Sequence, residues 1–171
     1  MSQQTKRLAT ASLFGVIIFV AKAFIPSPIN KMLVGVQALM LALGALLYGS
    51  KGATFISLIG GVLTALWNVA LAPFTLVFAL LYGLLVDSSF LLLKIDVAHS
   101  ETITIKLVTA MTTSTVIVGL ASYYVTVHLI GLLPSSPPLE IMILVAGTIN
   151  GAVAGYLASL IWNSYLKTFK N

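Results

Sequence analysis

The sequence predicts an all-α membrane protein: a six-transmembrane-helix bundle forming one domain, residues 1–171, with both termini cytoplasmic. Three observations predict it. The chain is 59% hydrophobic and 8% charged, whereas a soluble domain carries roughly 25% charged residues, so it cannot clothe a water-facing surface. Six apolar segments have about the length that crosses a bilayer as a helix, roughly 17 to 25 residues: 8–25, 32–48, 52–70, 74–93, 105–133 and 139–166. The basic residues sit singly at the ends of these segments, which is the pattern of topology determinants rather than of a nucleic-acid surface.

The breaks between segments are chemically distinct. Pro26-Ser27-Pro28 stops the first segment, because proline removes a donor and restricts the residue before it. Gly49-Ser50-Lys51-Gly52 separates the second and third, and the stretch from Asn68 to Pro73 separates the third and fourth. Lys94 to Thr102 forms the longest polar loop and holds Asp96, His99 and Glu101. Leu132 to Pro138, "LLPSSPP", ends the fifth segment. The last two segments exceed the bilayer thickness, which predicts tilt or projecting ends.

Orientation follows from lysine and arginine. With the N-terminus inside, Lys6, Arg7, Lys51, Lys94, Lys106, Lys167 and Lys170 are cytoplasmic, whereas Lys31 is outside and Lys22 lies near the outer end of the first span. This asymmetry gives both termini inside and predicts a multi-pass protein of the plasma membrane. Lys6-Arg7 followed by an apolar run and Ala21-Lys22-Ala23 has the outline of a signal peptide, but the apolar run is longer than a usual h-region, so the segment reads as a first span.

The chain contains no cysteine, which excludes disulfides, thiolate catalysis and cysteine-based metal sites. It contains no metalloprotease, nucleophile-elbow or phosphate-loop motif, and Gly49–Gly52 lacks the spacing of a phosphate loop. The acids are Asp87, Asp96, Glu101 and Glu140, too few and too scattered for a paired set within the bilayer. The expectation is a protein that is not an enzyme and needs no cofactor or metal.

Polar groups at membrane depth are costly and raise a functional hypothesis. Toward the outer side they are Gln37, Trp67, Asn68, Tyr123, Tyr124, His128 and Glu140, with Tyr82 and Asn150 nearer mid-depth. Apolar walls with a few hydrogen-bonding groups suit a small, flat, polar molecule, and these nine residues are the candidate substrate site. Plainer readings stand beside this one. Trp67 and Tyr123 suit the membrane interface, His128 suits the headgroups, and Glu140 suits the start of a helix. Asp87, in the inner half of the fourth span near Lys51 or Lys94, reads as a structural ion pair or an interhelical hydrogen bond. Gly147, Gly151 and Gly155 are spaced by four, as are Ala11 and Gly15. Such stripes let helices approach closely, within a bundle or against a partner.

The stretch "LMLALGALLYGSKGATFISLIGGVLTAL", Leu39 to Leu66, and the start "KRLATASLFG", Lys6 to Gly15, resemble the S component of an energy-coupling-factor (ECF) vitamin transporter. The likeness lies in a helix that ends in a G-x-[KR]-G turn before a glycine-rich third helix, and in the small-residue first helix. The resemblance implies a substrate-binding membrane subunit that takes up a vitamin or precursor from outside. It also implies association with a membrane coupling protein and two cytoplasmic ATPases, and delivery by toppling of the subunit in the bilayer. The family's coupling-protein contact, a small-residue face of helix one, falls on Ala11 and Gly15. The run from Ser50 through Phe90 is loosely similar to S components for thiamine or its hydroxymethylpyrimidine precursor; riboflavin and biotin stay open. A stand-alone transporter, which would need a continuous polar path, and an assembly subunit of a larger membrane complex are the alternatives.

Overall fold

The computed structural model describes residues 3–24, 34–49, 51–95, 103–131 and 135–166. Six α-helices account for nearly all of them, and no strand occurs among these residues. They are α1 (Gln3–Ala23), α2 (Val34–Tyr48), α3 (Gly52–Trp67), α4 (Ala72–Leu92), α5 (Ile103–Tyr124) and α6 (Pro137–Ile161). A π-helical turn extends α5 over Val125–Leu129, and another extends α6 over Trp162–Leu166. Each helix falls on one of the six apolar segments. Pro26-Ser27-Pro28, Lys31, Asp96, His99, Glu101, Pro134, Lys167 and Lys170, and the side chains of Lys6 and Arg7, lie outside the described residues.

Among the described residues, three helical stretches are long and apolar enough to cross a membrane: Val69–Leu92, Thr104–Leu129 and Pro137–Leu166, of 24, 26 and 30 residues. The apolar parts of the other three helices, Leu8–Ala23, Val34–Tyr48 and Gly52–Trp67, are shorter. At about 1.5 Å per residue the 15 described residues of α2 reach about 22 Å.

The central helix is α2. α2 touches each of the other five helices, while α1, α3, α4, α5 and α6 follow one another around it. Gln37, Ala38 and the run Leu41–Leu46 of α2 are buried. The outer helices turn Leu13, Val16, Val77, Leu84, Ile117, Met142 and Val153 outward, where a bilayer would solvate them. Lipid tails are as apolar as leucine, so burial alone does not hold such a bundle; close packing and interhelical hydrogen bonds do.

Small residues supply the close packing. A Cβ placed on Gly151 would lie 2.6 Å from Thr112 Cα, and one on Gly155 would lie 2.7 Å from Val108 Cα. At Gly147 the nearest atom of α5 is 3.4 Å away. The glycine stripe of α6 therefore carries the α5–α6 contact. The α1 stripe does the same against α3: a Cβ on Gly15 would meet Ile59 Cγ2 at 2.7 Å and the Gly60 nitrogen at 3.1 Å, and Ala11 is buried nearby. Hydroxyl pairs supply some of the interhelical hydrogen bonds. Thr115 donates to the Met111 carbonyl at 2.6 Å, which leaves its oxygen to accept from Tyr82 at 2.7 Å. Ser89 pairs with Ser114 at 3.0 Å and Thr104 with Ser159 at 2.6 Å.

The break between the third and fourth segments is shorter than the sequence suggests. The N–H of Asn68 bonds to the Thr64 carbonyl at the end of α3, and a single 3-10 turn, Val69–Leu71, leads into α4. Pro73 lies within the first turn of α4, where its missing N–H has no helical partner to lose.

Candidate functional site

The α2–α3 turn explains the most unusual polar residue of the chain. Gly49 has φ +68° and Lys51 φ +76°. The left-handed region suits glycine but strains lysine. This double reversal folds α3 back on α2 so closely that a Cβ on Gly52 would overlap the Gly44 carbonyl oxygen. Lys51 stands at the N-cap of α3 and makes no side-chain cap bond. The first N–H groups of a helix lack intrahelical partners, and here the cap comes from another helix. Asp87 Oδ1 accepts from the Ala53 N–H at 3.1 Å, and Oδ2 accepts from the Thr54 N–H at 2.9 Å and the Thr54 hydroxyl at 2.5 Å. A carboxylate at a helix N-terminus also meets the positive end of the helix dipole.

Gly83 makes that reach possible. A Cβ there would overlap Ser57 Oγ and lie 2.8 Å from Thr54 Cα, so α4 can press against α3 only because the position lacks one. Asp87 follows Gly83 by one helical turn and thus meets the first turn of α3. Asp87 is 6% exposed. Its partners are the backbone and hydroxyl of α3, not Lys51 or Lys94. Beside it lies a cavity of about 90 Å³ lined by Ala45, Leu46, Gly49, Asp87, Phe90, Leu91 and Ile95.

The nine candidate substrate residues fall into separate groups. Trp67 is exposed and packs edge-on against Phe19 with centroids 6.1 Å apart, and at 5.4 Å from Phe24. Asn68, also exposed, is the C-cap of α3. Gln37 is buried, and its amide makes no hydrogen bond among the described residues. Tyr82 is buried on Thr115.

Tyr123 is buried, and its hydroxyl accepts from the Ser136 N–H at 3.1 Å and donates to the Ser136 carbonyl at 3.3 Å. It therefore fixes the residue that caps α6. Tyr124 stacks on His128 with centroids 5.7 Å apart and planes inclined by 14°. Glu140 is half-buried in the first turn of α6. Asn150 donates to the Ala146 carbonyl of its own helix at 2.9 Å, with its Oδ1 turned to Gly35 of α2. The contacts thus join Tyr123, Tyr124 and His128 on α5, and place Trp67 beside Asn68. No hydrogen bond or ring contact among the described residues links these groups to each other or to Tyr82 and Asn150. Ala11 and Gly15 are covered by α3, within the chain.

The cap on α3 and the cavity beside it were not legible as a site. The sequence announces a buried acid, but a helix N-terminus offers main-chain N–H groups that no residue type advertises. Comparison with protein-family models, curated proteins and solved structures finds no match for the chain.

Proposed function

We propose that the chain is the substrate-binding membrane subunit of an ECF-type importer. Six helices would cross the plasma membrane with both termini inside. A vitamin or vitamin precursor, thiamine and its hydroxymethylpyrimidine precursor being the first to test, would bind from outside and pass inward with a coupling protein and two ATPases. The sequence features behind the reading are the Leu39–Leu66 stretch and the small-residue first helix.

One structural observation supports it above the others. Several polar groups near the α2–α3 turn and in the α4–α6 interfaces are engaged within the chain: Asp87 with Ala53 and Thr54, Ser89 with Ser114, Thr104 with Ser159. In contrast, the side chains of Gln37, Asn68, Trp67, Tyr124 and His128 make no hydrogen bond among the described residues. All five lie at helix ends that the six-span reading puts outside. Five side chains without a hydrogen bond, mixing rings and amides at that end of an apolar bundle, suit a ligand site there. They do not suit a channel, which needs polar groups along its whole length.

The test is native mass spectrometry and thermal-shift screening of the purified protein against a vitamin panel. Sub-micromolar binding of one vitamin, weakened by Tyr124→Ala or Gln37→Leu, is the expected result. No binding across the panel would sink the proposal.

A further inference from the structure

Helix α1 has two faces. Leu13, Val16, Val20 and Phe24 are exposed, whereas Ala11, Gly15 and Ile18 are buried. Gly15 and Ile18 of the buried face pack on Ile59 and Gly60 of α3. Lys22 follows Ile18 by four residues, on the buried stripe, and is half-buried. A lysine that served only as a charge at the end of a helix could sit on the exposed face and snorkel to water. This one sits on the face turned to the bundle.

A second polar group lies toward the same end of the bundle on another helix. Gln37 leads the α2 stripe that continues through Leu41 and Gly44, and Gly44 packs on Ile56 of α3. Because α2 and α3 form an antiparallel hairpin, Gln37 lies toward the C-terminal end of α3. α1 runs parallel to α3, since Gly15 meets Gly60 and Phe19 meets Trp67, so Lys22 lies toward that end too. Gln37 is 6% exposed with its amide unpartnered among the described residues. Its amide nitrogen and oxygen are not fully enclosed, so a partner supplied from outside the chain can meet donors and acceptors that the fold leaves unused. Phe19 and Trp67 stand at the same end as ring surfaces.

We propose that Lys22 and Gln37 together hold the anionic group, a carboxylate or phosphate, of a flat heteroaromatic ligand whose ring lies against Trp67. The ammonium and the amide N–H₂ both donate, so they match an oxyanion. Lys22 already interacts within the chain, but an ammonium has three N–H donors and can hold an anion as well. This rests on the transport reading above and assigns the ligand class: the imported compound is an anion rather than a neutral or cationic heterocycle.

Matched pairs of probes separate the two. The full-length protein in nanodiscs is titrated with nicotinate and nicotinamide, hydroxymethylpyrimidine phosphate and hydroxymethylpyrimidine, and flavin mononucleotide and riboflavin. The expected result is tighter binding of the anionic member of one pair, by at least tenfold. Lys22→Gln and Gln37→Leu should each erase most of that difference, and Lys22→Arg should keep it. A neutral member bound as tightly or better, or an anion bound equally by Lys22→Gln and the wild type, overturns the assignment while leaving the transport reading intact. No binding of any probe, together with none across the wider vitamin panel, removes both.

Discussion

Replacing Asp87 tests the cap it places on α3. In Asp87→Ala the Ala53 and Thr54 N–H groups and the Thr54 hydroxyl lose their acceptor. Gly83 still holds the two helices together, and the cavity beside Asp87 lets water reach part of the freed site. Each buried donor left unpaired costs about 1–3 kcal/mol. Two N–H groups, one of them only partly buried and both next to that cavity, put the loss at about 2–3 kcal/mol. In Asp87→Asn one oxygen remains to accept an N–H and the new N–H₂ can donate to the Thr54 hydroxyl. A single orphaned N–H and the lost charge-dipole attraction then amount to about 1–2 kcal/mol. Equilibrium unfolding in mixed micelles measures both variants. Hydrogen exchange at Ala53 and Thr54 should rise in each, and more in Asp87→Ala. An Asp87→Ala loss under about 0.5 kcal/mol, the range of an ordinary surface substitution, would refute the reasoning, as would Asp87→Asn proving the more damaging.

Five other substitutions test the packing and the turns. Gly151→Ala and Gly155→Ala should each destabilise by about 2 kcal/mol or more, the range of overpacking against backbone, while Gly147→Ala, with 3.4 Å of room, should stay within about 0.5 kcal/mol of wild type; the order of the three in thermal unfolding is the readout. Tyr123→Phe removes both bonds to Ser136 and should cost about 1–2 kcal/mol, with faster hydrogen exchange at the start of α6. Lys51→Gly relieves a left-handed lysine, a strain of about 1–2 kcal/mol, against an entropic penalty of about 0.5–1 kcal/mol. The net expectation is a higher unfolding temperature, and a lower one would show that Lys51 does more than occupy the turn.

The order of the elements was legible in the sequence because each break carries its own chemistry. Glycines flank the reversal at Gly49 to Gly52, and every apolar run between breaks is one helix. The helix lengths were less legible. Hydropathy runs the third segment to Ala70, whereas α3 ends at Trp67 and a 3-10 turn, Val69–Leu71, leads into α4. Which helix each small-residue stripe meets was not legible at all. Spacing by four shows that a face is smooth, but not whether α3, α5 or another protein lies against it. The same limit applied to the candidate site. Tyr82 and Tyr123 look alike in sequence to Tyr124, yet the first two are engaged by Thr115 and Ser136 while Tyr124 faces outward. Only the fold assigns those partners.

The cap on α3 has a consequence for synthesis. Ala53 and Thr54 lie 34 and 33 residues before the carboxylate that satisfies them. A chain emerging from the ribosome therefore makes α3 before its cap exists. Until α4 follows, the first N–H groups of α3 must find other acceptors. The α2–α3 hairpin is thus not a finished unit when it is made. Arrival of Asp87 in the next helix is the event that completes it.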